Sequence, residues 1–223
     1  IYIPPEGENV IRDKLKNLED FLYNEEYSNI DPLVKMAVLH YQFESIHPFA
    51  DGNGRTGRLV NILYLVQEQL LNKPILFLSK YFLDNRLGYY NGFKLVTKNN
   101  DWEQWILYML DAVECTSLKT IKVVEKIKSA MFFYKTIIKK QNPEIYSHEL
   151  IETIFEKPYF RLDDILAKNI IKTRQTATKH LKKLSLPHVI DSKSVHLISV
   201  YKVGRENIYI NNVLFNILTN HDI

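Results

Sequence analysis

The sequence predicts a mainly α protein built from two domains. Apolar residues recur at helical spacing through most of residues 1–140, Gln141-Asn142-Pro143 interrupts the chain, and short β-branched runs appear only beyond that point. We therefore expect an all-helical domain at 1–140 and a smaller domain of helices and strands at 141–223.

The first domain is predicted to open with an extended stretch, Ile1–Pro5, because its proline pair cannot lie inside a helix. Apolar residues in helical register follow at 10–22. Asp31-Pro32 combines an N-cap residue with proline at the first helical position, so a helix should start there and run to about Ser45.

Three more helices are expected in this domain. One passes through 59–66 and ends before Asn72-Lys73-Pro74, and the next has Ser79 as its N-cap. A long helix follows, with Asp101 as its cap and Gln104 three residues later. Its helical spacing continues towards Lys139, and we expect a break within so long a run.

The second domain mixes the two kinds of pattern. Helical spacing occurs at Ser147–Phe155, Leu162–Lys168 and Thr173–Leu184, and the runs Val195–Ile198 and Ile208–Ile210 are typical of strands. Three helices followed by a β-hairpin predict a winged helix-turn-helix domain.

Composition and charge restrict the function classes. The chain has 223 residues, 46% of them hydrophobic and 25% charged, and no apolar run approaches the roughly 18 residues that span a bilayer. The lack of such a run leads us to expect no membrane partner. Because a single cysteine excludes an internal disulfide, we also expect a reducing, cytoplasmic location. Because the chain starts at Ile1 without methionine or an apolar leader, we also expect a fragment that lacks its N-terminal part.

Nucleic acid is left open as a partner but is not favoured. The net charge is only +3, and residues 141–223 carry 11 basic and nine acidic residues. A helix at 173–184 could enter the major groove, yet lysines on a solvent-facing helix are ordinary. Its basic residues are Lys172, Arg174, Lys179, Lys182 and Lys183.

A glycine-rich loop between the second and third helices carries the residues best suited to chemistry. The two glycines of Asp51-Gly52-Asn53-Gly54-Arg55 let the backbone turn tightly and approach a ligand closely. A helix starts directly after them, so its free amide groups and positive dipole end face the same point. This arrangement predicts a phosphate cradle.

The side chains around the cradle suit phosphoryl or nucleotidyl transfer. Arg55 and Arg58 lie three residues apart and can both reach phosphate oxygens. Asp51 is a hard oxygen ligand for Mg²⁺, and His47 is a general-base candidate. The alternative is that His47-Pro48 only ends a helix and the glycines form a surface turn.

The segment His47–Arg58 matches every fixed position of the motif HPFx[D/E]GNGRxxR and therefore resembles Fic proteins. Flanking stretches extend the resemblance over roughly residues 1–140. They are Tyr41–Ile46, Leu78–Tyr81, Tyr89-Tyr90 and Asp101–Trp105. The resemblance implies an all-helical Fic domain with a short N-terminal β flap, which transfers AMP from ATP to a Ser, Thr or Tyr hydroxyl of a target protein and uses Mg²⁺.

The resemblance also implies a role for each motif position. His47 would deprotonate the hydroxyl, and Asp51 would hold Mg²⁺ between the α- and β-phosphates. Arg55 and Arg58 would bind the β- and γ-phosphates, and Phe49 would anchor the loop in the core. The remaining nucleotide-binding positions are Gly52, Asn53 and Gly54 as the anion hole, with Thr56 and Gly57 after them.

Outside the motif, Tyr89-Tyr90 matches the wall on the adenine side, although adjacent helical residues face different ways and a core aromatic pair is the alternative. Thr97 falls where relatives place a nucleoside-contacting residue. Ile1–Pro5 resembles the end of the Fic flap, which pairs with the backbone of the target by β-augmentation. Ile1 and Tyr2 would then border the ATP site, unless this stretch is a frayed terminus.

Regulation by an inhibitory helix, with pattern [S/T]xxxE[G/N], is common in Fic proteins. Glu6-Gly7 has Tyr2 at the Ser/Thr position, and Glu206-Asn207 has Lys202 there, so neither matches. We expect such a helix in the missing N-terminal part, where its glutamate would pair with Arg58. Appended domains of this kind also imply a homodimer.

Rival functions remain open at this point. A Doc-type relative would add phosphate, but such relatives have lysine where this chain has Gly54. Another nucleotide donor, such as UTP or a choline nucleotide, would fit the same cradle. The rival from another class is a nucleotide-sensing regulator that binds DNA.

Overall fold

The computed structural model describes residues 2–190, 192–204 and 206–219, and the chain divides into two compact units, Ile1–Thr120 and Ile121–Ile223. The division falls inside a helix, before the predicted domain boundary at 140. The mainly α class is confirmed. In the described ranges no helix is both long and apolar enough to cross a membrane.

The first unit is helical from α1 to the start of α6. Its helices are α1 (Glu8–Tyr23), α2 (Pro32–Ile46), α3 (Asn53–Gln67), α4 (Ser79–Asp84), α5 (Arg86–Asn99) and the beginning of α6 (Glu103–Gln141), with a 3₁₀ turn at Glu25–Tyr27. Asp31 starts α2 as predicted, since its carboxylate accepts a hydrogen bond from the Leu33 N–H at 2.8 Å.

Two of the predicted helix caps, and the predicted break, are wrong. Ser79 is the first residue of α4 and caps nothing with its side chain. Because α6 begins at Glu103, its N-cap position belongs to Trp102 and not to Asp101. The helix continues without a break to Gln141, because residues 103–141 include no proline or glycine to interrupt it.

Trp105 is the centre of the core of this unit. Its side chain is fully buried, and its indole N–H donates to the Ala37 carbonyl at 2.8 Å, which ties α6 to α2. The Phe93 ring lies 4.6 Å from the indole and the Tyr89 ring 5.6 Å, so α5 packs on the same side chain. These contacts fix α2 and α5, which form two walls of the site, against α6.

The N-terminal segment differs from the predicted β flap. Tyr2–Pro5 is not part of any strand, and within the described residues its backbone forms no ladder. Pro4 and Pro5 lack the N–H that a ladder needs. The Tyr2 hydroxyl instead donates to the Ser45 carbonyl near the end of α2, at 2.8 Å.

Within its described residues, the second unit contains the rest of α6, four short helices and two small sheets. The helices are α7 (His148–Glu156), α8 (Leu162–Ala167), α9 (Arg174–Leu184) and α10 (Asn212–Thr219). Strands β2 (His188–Ile190) and β3 (Lys193–Val195) form one antiparallel pair. Strands β1 (Tyr159–Arg161), β5 (Glu206–Asn211) and β4 (Ile198–Val203) form an antiparallel sheet in that order.

Several details of the second unit were not predicted. The expected strand at Val195–Ile198 is divided, because β3 ends at its first residue and β4 begins at its last. Between them the buried Leu197 offers its carbonyl to the hydroxyl of Tyr134, which also bonds the side chain of Asn211. The helix α10 and the strands β1 and β2 were missed. The assignment of 141–223 as a winged helix-turn-helix domain stays a prediction.

Candidate active site

A cleft of about 920 Å³ opens in the first unit beside the predicted loop. It is bounded by the end of α2, the first turns of α3, the length of α5 and the N-terminal segment. The predicted residues that line it are Tyr2, His47, Gly54, Arg58, Tyr89, Tyr90 and Thr97. The other motif residues, at 51–53 and 55–57, lie beside it without lining it, and Ile1 lies outside the described residues.

His47 ends α2 in a left-handed conformation, with φ 51° and ψ 55°. Its N–H still donates to the Phe43 carbonyl at 3.1 Å, so the ring is placed on an exposed corner of the cleft. Its Nδ1 lies 3.4 Å from the Glu44 carbonyl oxygen. A proton on Nδ1 points to that carbonyl, and Nε2 is then the free acceptor that a general base needs.

The loop is held together by the buried side chain of Asn53. Its amide accepts from the Phe49 N–H at 2.9 Å and donates to the Phe49 carbonyl at 2.6 Å. Gly52 turns the chain into α3 with φ 90°, a conformation that favours glycine. The prediction that Phe49 anchors the loop in the core is wrong, because its side chain is 49% exposed. The amide clamp of Asn53 fixes the loop instead.

Asp51 and Arg55 pair with each other on the surface of the loop. The Asp51 carboxylate accepts from the Gly52 N–H at 2.7 Å and from the Arg55 guanidinium at 3.0 Å. Both side chains are mostly exposed, so the pair contributes little stability and can open at small cost. The candidate metal ligand and the candidate phosphate ligand are therefore available to an incoming nucleotide.

Arg58 differs from Arg55 because it lines the cleft and, within the described part of the chain, has no carboxylate partner within 4.0 Å. A Cβ atom on Gly54 would lie 3.1 Å from its Nη1. Glycine at this position thus lets the guanidinium lie close against the first turn of α3. The arrangement places a guanidinium that forms no ion pair with a described carboxylate beside the helix start, which suits a phosphate.

Glu44 is a cleft residue that the sequence analysis did not single out. Its Oε1 is buried without a hydrogen-bond partner among the described residues, and burial raises the pKa of its carboxyl while Arg58 and His47 oppose that rise. A Cβ atom on Gly57 would lie only 2.5 Å from this oxygen. Gly57 is therefore needed for close packing of α3 on α2.

The side chains of Tyr89 and Tyr90 point in different directions, as expected for neighbours on a helix. Tyr89 packs into the aromatic core, and its hydroxyl lies 3.0 Å from Nε2 of the buried His40. Tyr90 is 57% exposed, with the Arg86 guanidinium 5.4 Å from its ring centre. Both line the cleft, but Tyr90 offers it the more accessible aromatic face.

The Thr97 hydroxyl is already engaged within the protein. It donates to the Phe93 carbonyl at 2.8 Å and lies 2.9 Å from the Tyr41 hydroxyl. Its proton is therefore committed, and it can offer a ligand only an oxygen lone pair.

His40 links three helices below the cleft. Its Nδ1 lies 3.0 Å from the side-chain nitrogen of Asn61 on α3, and its Nε2 contacts Tyr89 on α5. Complete burial lowers the pKa of His40 to about 3. No periodic stripe marked His40 or Asn61 in the sequence, because α2 has buried residues on most of its faces.

We expect this histidine to make the protein less stable in acid. The folded state keeps His40 neutral down to a pH of about 3, whereas the unfolded chain takes up a proton near the ordinary pKa of about 6.5. As the pH falls between these values, its contribution should lower the free energy of unfolding by about 1.4 kcal/mol per pH unit. Urea unfolding from pH 7 to pH 5 measures it. His40→Gln should show a shallower pH slope than the wild type, and equal slopes would contradict the prediction.

Comparisons with known proteins agree with this geometry. Residues 2–65 match the Fic/DOC family, and residues 131–214 match the C-terminal domain of protein adenylyltransferases described as SoFic-like. The chain carries a Fic domain. The motif loop and α2 lie within the part that matches the Fic/DOC family, whereas α5, which forms the other wall of the cleft, lies beyond it.

Named relatives are similar to part of this chain. The chain is 38% identical over 63 residues to protein adenylyltransferase fic-1 of Caenorhabditis elegans, which is 28% of this chain and 12% of that protein. It is 31% identical over 115 residues to protein adenylyltransferase Fic of Drosophila willistoni, which is 52% of this chain and 22% of that protein. A solved Fic family protein from Desulfovibrio desulfuricans aligns over 93% of this chain and 56% of its own, with 19% identity and a TM-score of 0.48. The chain thus spans about a fifth or less of these two named adenylyltransferases.

Proposed function

We propose that this Fic domain is a protein adenylyltransferase that moves AMP from ATP to a hydroxyl group of a target protein. The observation that carries the proposal is the meeting of His47, Gly54 and Arg58 with the aromatic wall of α5 in one cleft. A base, an anion site and a surface for a purine are the groups that nucleotidyl transfer requires. The adenylyltransferase names of the relatives support the same reaction.

The reaction follows from the positions of these groups. Nε2 of His47 would take the proton of the target hydroxyl, whose oxygen forms a bond to the α-phosphorus of ATP. The bond from that phosphorus to the oxygen bridging the α- and β-phosphates breaks, and pyrophosphate leaves. The start of α3 and Arg58 would stabilise the charge on the departing phosphates.

We propose Asp51 as the residue that would hold Mg²⁺. Its carboxylate is exposed beside the helix start, and Mg²⁺ is commonly bound by one or two carboxylates together with substrate phosphates. The described residues contain no cluster of three acidic, His or Cys side chains that could hold a metal without the nucleotide. The ion would neutralise phosphate charge and help to orient the triphosphate.

The target is proposed to enter beside the N-terminal segment. Tyr2 and Ile3 line the cleft, and the backbone of Ile3 has no partner within the described chain, so it could pair with an extended segment.

The exposed free Cys115 agrees with a reducing compartment, and we propose the cytoplasm.

Mass spectrometry tests the reaction directly. The protein is incubated with Mg²⁺ and ATP, alone and in a cell lysate, and modified proteins are identified with the His47→Ala variant as the control. We expect added AMP on a Ser, Thr or Tyr residue, which is lost in the variant. Added phosphate would indicate the Doc-type reaction instead, and an adduct formed only from UTP would change the proposed donor.

A further inference from the structure

A pair of lysines on α5 lines the cleft and has no role in the reaction described so far. Lys94 and Lys98 are exposed, and neither forms an ion pair within the part of the chain that the structure describes. They share one helix with Arg86, and this helix has no acidic residue. Like charges four residues apart weaken a helix slightly, and only Lys98, in the last turn, is favoured by the helix dipole.

The lysines lie away from the phosphate cradle. Tyr89 marks the cradle end of α5, since Glu44 and Arg58 are close enough to influence the pKa of its hydroxyl, which burial raises. Thr97 marks the other end, where its hydroxyl contacts Tyr41. At 1.5 Å per residue, Lys94 lies roughly 8 Å and Lys98 roughly 13 Å along the helix from Tyr89.

The cleft therefore carries more positive charge than the phosphates of a nucleotide need. Arg58 and the start of α3 serve the phosphates, and a nucleoside against Tyr90 carries no negative charge. The carboxylate that lines the cleft belongs to Glu44, which is half-buried towards α3. The second substrate enters the same cleft to bring its hydroxyl to His47, and it can supply an anion that complements Lys94 and Lys98.

We propose that Lys94 and Lys98 select target proteins with aspartate or glutamate a few residues from the modified hydroxyl. This inference rests on the proposed function, because it concerns the acceptor of that reaction. His47, Lys94 and Lys98 line the same cleft, and an extended chain spans about 3.3–3.6 Å per residue, so an acidic residue a few positions from the hydroxyl can approach the lysines. Exposed ion pairs of this kind supply specificity and a salt-dependent gain in affinity.

The test measures peptide binding and not AMP transfer. A negative result for this inference can therefore be distinguished from a failure of the proposed reaction. Two fluorescent peptides each carry one threonine, flanked by aspartates in one and by lysines in the other. Their affinities for the whole chain are measured by anisotropy at low ionic strength. The double variant Lys94→Glu, Lys98→Glu is compared with Lys14→Glu, Lys73→Glu, which changes the net charge equally at exposed lysines outside the cleft lining.

We expect the wild type and the control variant to prefer the acidic peptide by about tenfold, and the cleft variant to prefer the basic one. Affinity for ATP should change less than twofold in the cleft variant. Equal peptide binding by both variants, or no binding of either peptide to the wild type, would overturn the proposal. A loss of ATP affinity in the cleft variant would also overturn it, because the lysines would then serve the nucleotide.

Discussion

The variant His47→Ala is expected to lose AMP transfer while it keeps its affinity for ATP. A general base typically contributes a factor of about 10²–10⁴ to the rate, so single-turnover transfer from labelled ATP should fall by at least a hundredfold. The nucleotide should still bind, because the cradle is built from backbone amides of α3, Gly54 and Arg58. Calorimetry with ATP and Mg²⁺ measures that second quantity.

The matched control is His148→Ala. This histidine is exposed at the start of α7, outside the cleft lining, and its ring lies 3.4 Å from the Glu152 carboxylate, so its loss should leave transfer unchanged. A fall of less than about tenfold in His47→Ala would remove His47 from the role of base. A simultaneous loss of ATP affinity would show instead that the loop had lost its structure. The transfer rate of His47→Gln would then be compared with that of the wild type.

The sequence predicted the parts of the site that depend on local backbone chemistry. Asp31-Pro32 fixed the start of α2, and the glycines at 52 and 54 placed a turn and a helix start where the structure has them. These features involve residues close in sequence, so the preferences of single residues decide them. The separation of Tyr89 from Tyr90 also followed, because it needs only the geometry of a helix.

The missed features depend on packing between distant segments. Glu44 is important because α3 approaches α2 so closely at Gly57, and nothing near Glu44 in the sequence indicates that contact. Phe49 was expected inside because it is apolar, but Asn53 already fixes the loop, and the ring stays half-exposed with its centre 6.4 Å from that of Phe43. The position of Lys94 in the cleft likewise depends on packing, because it requires α5 to line the cleft opposite the motif loop.

The second large effect is expected for Trp105→Ala, which removes the side chain that α2, α5 and α6 share. Replacing a fully buried tryptophan by alanine typically costs about 3–5 kcal/mol, and the hydrogen bond to the Ala37 carbonyl is lost as well. The midpoint of urea unfolding, followed by far-UV circular dichroism, should fall accordingly. Trp102→Ala is the matched control, because Trp102 is only partly buried and bonds the side chain of the exposed Asn100.

The same substitution should also weaken nucleotide binding, although Trp105 does not line the cleft. Its indole lies against the rings of His40 and Tyr89, and it helps to hold α5 against α2, so that Tyr90 lines the same cleft as Gly54 and Arg58. Trp105→Phe retains most of the ring volume and should preserve ATP affinity better than it preserves stability. If Trp105→Ala loses stability but binds ATP as the wild type does, then α5 keeps its position without the indole, through its remaining contacts with His40, Tyr41 and Phe82.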